Sequence, residues 1–368
     1  MSRMLAHVEK VVRVFPIAGA DFIEGVQILG WECVAKKGEF KEGDLCVYVE
    51  IDSIVPPTPM FEFLKDRNYR IKTIKLKKQV SQGLALPIEE SMGKVSVGDD
   101  LTEALGITKY LRPSEREEDD TPLPKSGMGW FARFMYRFFW FRWLYGKVFP
   151  KPTRGFPEWI GKTDEERIQN NPERYLSAKG PLYESEKLDG QSATYAIERR
   201  RGFMKKHEFV VCSRNNRMGV GSKGSWRYVA EKYDIEKKLI AILADSSEDI
   251  QAIALQGENI GPGIQGNKYK RDDYEFYVFN MKYKLSGKTY DQDLDELLST
   301  CAKHGLNTVP ILDKDFWMMP TLQDMLKHAD GDSVLAKTDR EGVVIRSHDM
   351  GVSFKVVSNK FLLKGGEE

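Results

Sequence analysis

Apolar and polar positions alternate in short runs over roughly the first 110 residues. Val26-Gln27-Ile28-Leu29-Gly30-Trp31, Asp44-Leu45-Cys46-Val47-Tyr48-Val49 and Tyr69-Arg70-Ile71-Lys72-Thr73-Ile74-Lys75-Leu76 each read as a strand, with Gly and Asp turns between them. Strands so closely spaced predict a small barrel. In the third run Ile71 sits between Arg70 and Lys72, and Ile74 and Leu76 bracket Lys75. One face can fill a core while the other carries positive charge, and Lys77 and Lys78 extend that strip. Residues 113–128 hold Pro113, an acidic run from Glu115 to Asp120, Pro122, Pro124 and Gly127, the composition of a linker. Beyond Pro150, strand-like runs alternate with helical stretches such as Trp226 to Leu243 and Tyr290 to His304. There is no internal repeat.

The segment from Trp130 to Phe149 breaks the pattern. It is dense in Trp, Phe and Tyr, carries Arg133, Arg137, Arg142 and Lys147, and has no acidic residue. On a helical wheel Arg133, Arg137 and Lys147 share a side and aromatics cover most of the rest. A helix buried between domains, a surface that stacks on RNA or docks a protein, and a helix in a membrane interface all fit. Its charges argue against a membrane span.

Composition narrows the classes. The 368 residues suffice for two or three domains, and 41% apolar with 30% charged content is that of a soluble globular chain. With 56 basic and 55 acidic residues, a nucleic-acid partner would have to be held by local basic patches. An OB-type barrel fits the N-terminal pattern, and its basic strip suits a nucleic-acid backbone or is a plain solvated face. Cys33, Cys46, Cys212 and Cys301 are scattered without a C-x-x-C pair, so neither a disulfide framework nor a zinc site is expected. That usage points to a reducing intracellular compartment, the cytoplasm first, with nucleus or organelle open. The N-terminus lacks the apolar core of a secretory signal, and no run is long and apolar enough for a transmembrane helix.

Five segments carry candidate chemistry in a fixed order. They are Lys187-Leu188-Asp189-Gly190, Ser213 to Arg217, Gly257-Glu258-Asn259, Phe276-Tyr277-Val278-Phe279, and Glu341 to Arg346 running into Phe354-Lys355. Alone, K-x-D-G is a common surface turn. As a nucleophile Lys187 must first lose a proton, so burial and a nearby cation or metal are needed. Asp189 can bond backbone or sugar groups, and Gly190 permits a tight turn with close approach of a ligand. Glu258 and Glu341 are carboxylates in matched glycine contexts, suited to a ribose hydroxyl or a divalent cation. A lysine among apolar neighbours, Lys355, suits an anion such as a phosphate. Arg214 suits a ribose or a nucleic-acid end, with Arg217 a weaker candidate. Lys360 is weaker than Lys355, since a solvated lysine is its plain alternative. Phe279 and Val344 would sandwich a purine, or Phe279 is simple core.

That order resembles the covalent nucleotidyltransferases: RNA ligases, DNA ligases and mRNA capping enzymes. The stretch from Gly257 to Gln265 with Phe276 to Phe279 is similar to the nick-sealing branch of ATP-dependent RNA ligases. The N-terminal segments Ile71 to Leu76 and Ser81 to Leu84, and Lys162 to Asn170, resemble one RNA ligase family with an N-terminal OB module. The resemblance leaves out 130–149. It implies an α+β chain: an OB-fold β-barrel over 1–112, a linker with the aromatic and basic insert over 113–173, and an ATP-grasp-like nucleotidyltransferase (ligase) domain of antiparallel sheets and helices over 174–368.

The family chemistry has three steps. Lys187 takes AMP from ATP, AMP passes to an RNA 5′-phosphate, and a 3′-hydroxyl displaces it. Lys187 and Lys355 would be catalytic. Glu186, Asp189, Gly190, Arg214, Glu258, Phe279, Val344, Arg346 and Lys360 would bind nucleotide, and Glu258 and Glu341 would hold Mg²⁺ or Mn²⁺. The expected partner is RNA or a nicked RNA-containing duplex, engaged by a monomer, with a further protein or RNA contact through 130–149. Two positions depart from the family pattern. Val357 stands where relatives often have a second lysine, and Asn280 where many have Asp. The short tail after Lys360 implies no C-terminal OB domain, unlike DNA ligases and capping enzymes. A superfamily enzyme of those two kinds, and an RNA-binding protein that kept the fold without activity, are the rival readings.

Overall fold

The computed structural model describes residues 4–110, 155–161, 163–199, 207–218, 224–247 and 249–365. The segment 130–149, and the linker proper, lie outside the described residues. Chain contacts define two compact units. The first takes Met1–Arg112, Glu165–Leu188 and Pro310–Glu368; the second takes Pro113–Asp164 and Asp189–Val309. The stretch 174–368, expected as one domain, thus contributes to both.

The first unit opens with β1 (Ala6–Pro16), β2 (Ile23–Ile28), β3 (Trp31–Lys36) and β4 (Leu45–Val49), followed by β5 (Ser53–Ile54), β6 (Ile74–Leu76), β7 (Gln79–Ser81), β8 (Leu84–Pro87) and β9 (Thr108–Lys109). An antiparallel sheet of order β3-β2-β1-β4-β8 forms the OB module. Its edges meet: Gln82 N donates to Glu32 O at 2.8 Å, and Val34 N to Ser81 Oγ at 3.0 Å. Inside lie Val8, Val26, Ile28, Trp31, Val47 and Phe61, all nearly inaccessible. Two strand expectations change. The run 26–31 is broken by a turn at Leu29-Gly30, giving β2 and β3. Only Ile74–Leu76 of the run 69–76 is strand, and it pairs with β7 in a separate two-stranded ribbon. Asn68 and Tyr69, both with φ near +55°, turn the chain before it can join the barrel.

Gly30 N donates to Gln169 O at 2.8 Å and Trp31 Nε1 to Asn170 Oδ1 at 3.0 Å, which ties the OB module to residues 167–170. The short helix α1 (Pro172–Leu176) follows, capped by Asn171 and with proline at its start. Then comes β10 (Leu182–Lys187), which ends on the candidate nucleophile.

The second unit contains β11 (Gln191–Arg199), β12 (His207–Cys212), α2 (Ser225–Lys232), α3 (Ile235–Asp245), β13 (Ile250–Ile260), β14 (Glu275–Leu285), β15 (Lys288–Asp291), α4 (Leu294–Lys303) and β16 (Asn307–Thr308). Its sheet runs β12-β11-β13-β14-β15, with β16 parallel beside β14. Alternation sorts the side chains. Tyr195, Ile197, Ile253, Leu255, Phe276 and Val278 pack against Val229, Leu239, Ile242 and Leu297 of the helices. Each buried aliphatic side chain there contributes about 1.5–3 kcal/mol. The expected helix 226–243 is two helices, because Asp234 at φ 49° ends the first run. The expected helix 290–304 starts later, at Leu294, where Asp293 accepts from Glu296 N at 2.8 Å and caps it; its first residues form β15 instead.

The chain returns to the first unit through β17 (Ile311–Phe316), α5 (Leu322–Ala329), β18 (Gly342–Ser347), β19 (Ser353–Val357) and α6 (Asn359–Leu363). The sheet order is β17-β10-β18-β19, antiparallel throughout. Leu182, Val343, Ile345, Phe354 and Val356 form one face and pack on Phe316, Met325 and Leu326. Cys33, Cys46, Cys212 and Cys301 are all buried and unbridged.

Candidate active site

In the four-stranded sheet the register aligns three rows: Lys187 with Gly342 and Val357, Ser185 with Val344 and Lys355, and Tyr183 with Arg346 and Ser353. Paired residues share a face, and that face is opposite the apolar core. Lys187, Val344, Arg346 and Lys355 therefore gather on one surface of one sheet. Glu341, just ahead of β18, reaches across to Lys187: Nζ lies 2.5 Å from Oε1, and the Glu341 side chain is 4% exposed. Gly342 makes this possible. A Cβ there would stand 2.2 Å from Val356 O, so only glycine lets β18 begin so close to β19.

Glu186 alternates to the other face. It is buried, and Oε2 accepts from Val334 N at 2.8 Å. Burial pushes its carboxyl above the usual carboxylate range, more than nearby Ser333, Val334 and Arg340 draw it back. The structure thus places its side chain away from Lys187.

Arg346 is 4% exposed and already engaged. Nη2 lies 2.7 Å from Glu165 Oε1, Nε donates to Ser353 Oγ at 3.1 Å, and Ser353 donates to Glu165 Oε2 at 2.6 Å. Burial works against its charge, yet the Glu165 carboxylate keeps its pKa above the ordinary value. Beside it, Lys355 N donates to Glu166 O at 2.8 Å, so the segment before α1 runs along β19. Lys360 lies on α6 with Nζ 2.6 Å from Asp339 Oδ1, which raises its pKa.

In the second unit the turn after the nucleophile is held from two sides. Asp189 N donates to Tyr269 Oη at 2.8 Å, and Lys268 Nζ lies 2.6 Å from Asp189 Oδ2, whose side chain is 2% exposed. Gly190 has no room for a Cβ, which would lie 2.4 Å from Asn259 O and 2.7 Å from Glu258 Cγ. Asp189, Gly190 and Glu258 are thereby brought together. Phe279 owes its place to a bulge: Gln256 pairs with Asn280 and Gly257 with Val278, which leaves Phe279 as the extra residue of β14. Arg214 lies 2.7 Å from Asp164 Oδ2, and Arg217 lies 2.5 Å from Glu208 Oε1.

Both departures have local causes. Asn280 donates to Gln256 Oε1 at 3.0 Å and to Asp291 Oδ1 at 2.8 Å. An aspartate there would set two carboxylates and an amide oxygen against one another. Val357 is 1% exposed and packs with Phe361 and Leu362, so α6 covers the place of a second lysine.

Among the described residues no three His, Cys, Asp or Glu side chains cluster as a metal-binding group. Glu341 in the first unit and Glu258 in the second each carry hard oxygens of the kind that Mg²⁺ or Mn²⁺ accepts. Sequence reasoning missed Lys268, Tyr269 and Glu165. The first two lie just beyond the glycine-rich segment that ends at Gln265, after a turn in which Gln265, Gly266 and Asn267 have positive φ; Glu165 lies in the stretch 162–170 that carried the resemblance, but nothing there marked it as a site residue.

Comparison with known proteins agrees with this fold. An OB-fold domain model matches residues 5–88 and an RNA ligase model residues 180–357. A lysine-to-alanine mutant of Naegleria gruberi RNA ligase, with ATP and Mn, is 31% identical over 99% of this chain and 100% of that one, at TM-score 0.77. The Naegleria gruberi RNA ligase with PPi is also 31% identical, over all of both chains, at TM-score 0.77. A glutamate-to-alanine mutant of that ligase, with AMP and Mn, is 30% identical over all of both chains, at TM-score 0.76. No curated protein matches.

Proposed function

The chain belongs to the ATP-dependent RNA ligase family, and from that premise we propose that it seals a 3′-hydroxyl to a 5′-phosphate at RNA-containing nicks through lysyl-AMP. The observation that carries the reading is Lys187 at the end of β10, 2.5 Å from buried Glu341 and on the same sheet face as Val344 and Lys355. The family structures with ATP, AMP and Mn support ATP and a divalent cation as its cofactors.

Lys187 Nζ attacks the α-phosphorus of ATP. The N–P bond forms, the α–β bridging P–O bond breaks, and pyrophosphate leaves. An ammonium held by Glu341 has no lone pair for attack, so a proton must first depart. The buried Glu341 carboxylate is positioned to receive it. When bound, a divalent cation supplies positive charge at the phosphates and weakens the hold of Glu341 on the ammonium. Lys355 balances charge on the α-phosphate as pyrophosphate departs. In the first unit Val344 is the candidate apolar surface for the base; in the second, Phe279 is the aromatic candidate, and Glu258, set against Gly190, suits the ribose or the cation. Asp189, fixed by Lys268 and Tyr269, keeps the nucleophile turn rigid. In this reading Glu186 and Arg346 act by shaping the sheet that carries Lys187 and Lys355. Arg214 and Lys360, on the surface, are candidates for the RNA.

The test is incubation with Mg²⁺ and α-labelled ATP followed by denaturing electrophoresis, then sealing of nicked duplexes with RNA or DNA 3′-ends. Label on the wild type and none on Lys187→Ala is expected, with sealing of the RNA 3′-end. Label from GTP alone, or sealing only of DNA ends, would overturn the proposal.

A further inference from the structure

The basic strip read from the sequence lies on the β6–β7 ribbon, off the barrel sheet. Leu76 pairs with Gln79, so Lys77 and Lys78 alone form the turn. Both have positive φ, 48° and 71°. A two-residue hairpin turn of this kind strongly favours Asn-Gly or Gly-Gly, and side-chain-bearing lysines are disfavoured there on steric grounds. Strain retained where glycine would relieve it points to a use for the side chains.

The charge is arranged to match. No Asp or Glu occurs between Asp66 and Glu89. Lys75, Lys77 and Lys78 are exposed, and among the described residues they form no ion pair. The strands of the ribbon, by contrast, are fixed: at the base Ser81 Oγ accepts from Val34 N at 3.0 Å, and next to the turn Gln79 Nε2 donates to Glu32 Oε2 at 2.6 Å, the one carboxylate shown beside the ribbon among the described residues. The result is a rigid stem with a cationic tip.

We infer that the β6–β7 ribbon grips the phosphate backbone of the duplex to be sealed, through Lys75, Lys77 and Lys78, without reading its sequence. Lysine is a point charge, suited to phosphate and poor at base edges, and the deep groove of an RNA-type helix leaves its backbone as the accessible anion. The inference rests on the ligase reading for its choice of partner.

The test replaces Lys77→Asn with Lys78→Gly in the full chain, which removes two charges while relaxing the turn. A second variant, Lys77→Arg with Lys78→Arg, keeps the charge. Each is titrated against a nicked RNA-containing duplex blocked by a 3′-deoxy end, over a series of salt concentrations, and against the single strand. The first variant should hold or raise its melting temperature and label with AMP like wild type. It should bind the duplex roughly tenfold more weakly, with a salt slope shallower by about two. The arginine variant should bind like wild type. Unchanged duplex affinity and slope in the first variant, or weakening confined to the single strand, would overturn the inference. Absence of AMP labelling in the wild type would instead count against the ligase reading, and the binding comparison would still stand.

Discussion

Lys187 and Arg346, on the β10–β18–β19 sheet, each meet a carboxylate at 2.5 and 2.7 Å, whereas Lys75, Lys77 and Lys78 on the β6–β7 ribbon meet none among the described residues. Both sets belong to the first unit, and both are cationic. The paired set is at least partly withdrawn from water, where each charge constrains its partner and one residue lost leaves the other stranded. The ribbon set stands in solvent, where salt screens it and its effect is on encounter and grip. The proposed attack on phosphorus needs the first arrangement, because the position of its nucleophile must be controlled. Holding a polyanion needs the second.

Substitutions can break that contrast, in decreasing order of effect. Lys187→Ala should abolish AMP labelling, about a thousandfold or more, and leave Glu341 buried without its ammonium at a cost of about 1–3 kcal/mol. Residual labelling near the wild-type level would show that the paired lysine is not the nucleophile. Glu165→Ala should strand Arg346 and cost about 3 kcal/mol in urea denaturation, with Arg346→Met in the same chain restoring most of it. A single-mutant loss under about 1 kcal/mol would mean the pair holds little.

Asn280→Asp sharpens the point by setting a second carboxylate against Asp291, whose one cation shown among the described residues is Lys282 at 2.5 Å. Beside Asp291 it should cost about 1–2 kcal/mol at neutral pH and less in acid, where it binds a proton. A pH-independent loss would speak against carboxylate repulsion.

His7 tests a paired charge in the OB module. Burial alone would lower its pKa, but Glu50 and Glu9, its carboxylates at 3.8 and 2.9 Å from the ring nitrogens, raise it to about 9 from 6.5. Asp100, bridged to it by backbone, adds a further acid nearby. Because the folded pKa is the higher, the stabilisation is complete below about pH 6.5 and disappears as pH rises through about 9. It amounts to roughly 3 kcal/mol, and His7→Gln should flatten the stability profile between those limits. An unaltered profile would place the pH dependence elsewhere. The ribbon exchange, Lys77→Asn with Lys78→Gly, should shift stability least, a gain of about 0.5–1 kcal/mol by differential unfolding; a loss larger than that would mean the lysines support the ribbon themselves.

Much of the site was legible as short segments. K-L-D-G at 187–190, the glycine-flanked Glu258, the aromatic run to Phe279 and E-G-V-V-I-R at 341–346 are each local, and alternation gives the face of Lys187, Val344 and Arg346, though not that of Phe279 at its bulge. The barrel was legible from strand spacing, while the run 69–76 was misread, since its alternation is equally good for a ribbon. Asp234 split one expected helix and Asp293 capped the other later than expected, through φ and capping choices that a hydrophobic pattern does not encode.

The partners were not legible at all. Lys187 and Glu341 are distant in sequence, as are Arg346 and Glu165, and Asp189 and Lys268. Residue order determined which side chains could do chemistry and which face of its own strand each would take, because alternation is a property of the extended backbone. Which strands lie side by side, and in what register, depends on the burial of whole sheet faces and on single features such as the Phe279 bulge and the missing Cβ of Gly342. Those choices set a carboxylate beside Lys187 and beside Arg346, and only the folded chain could make them.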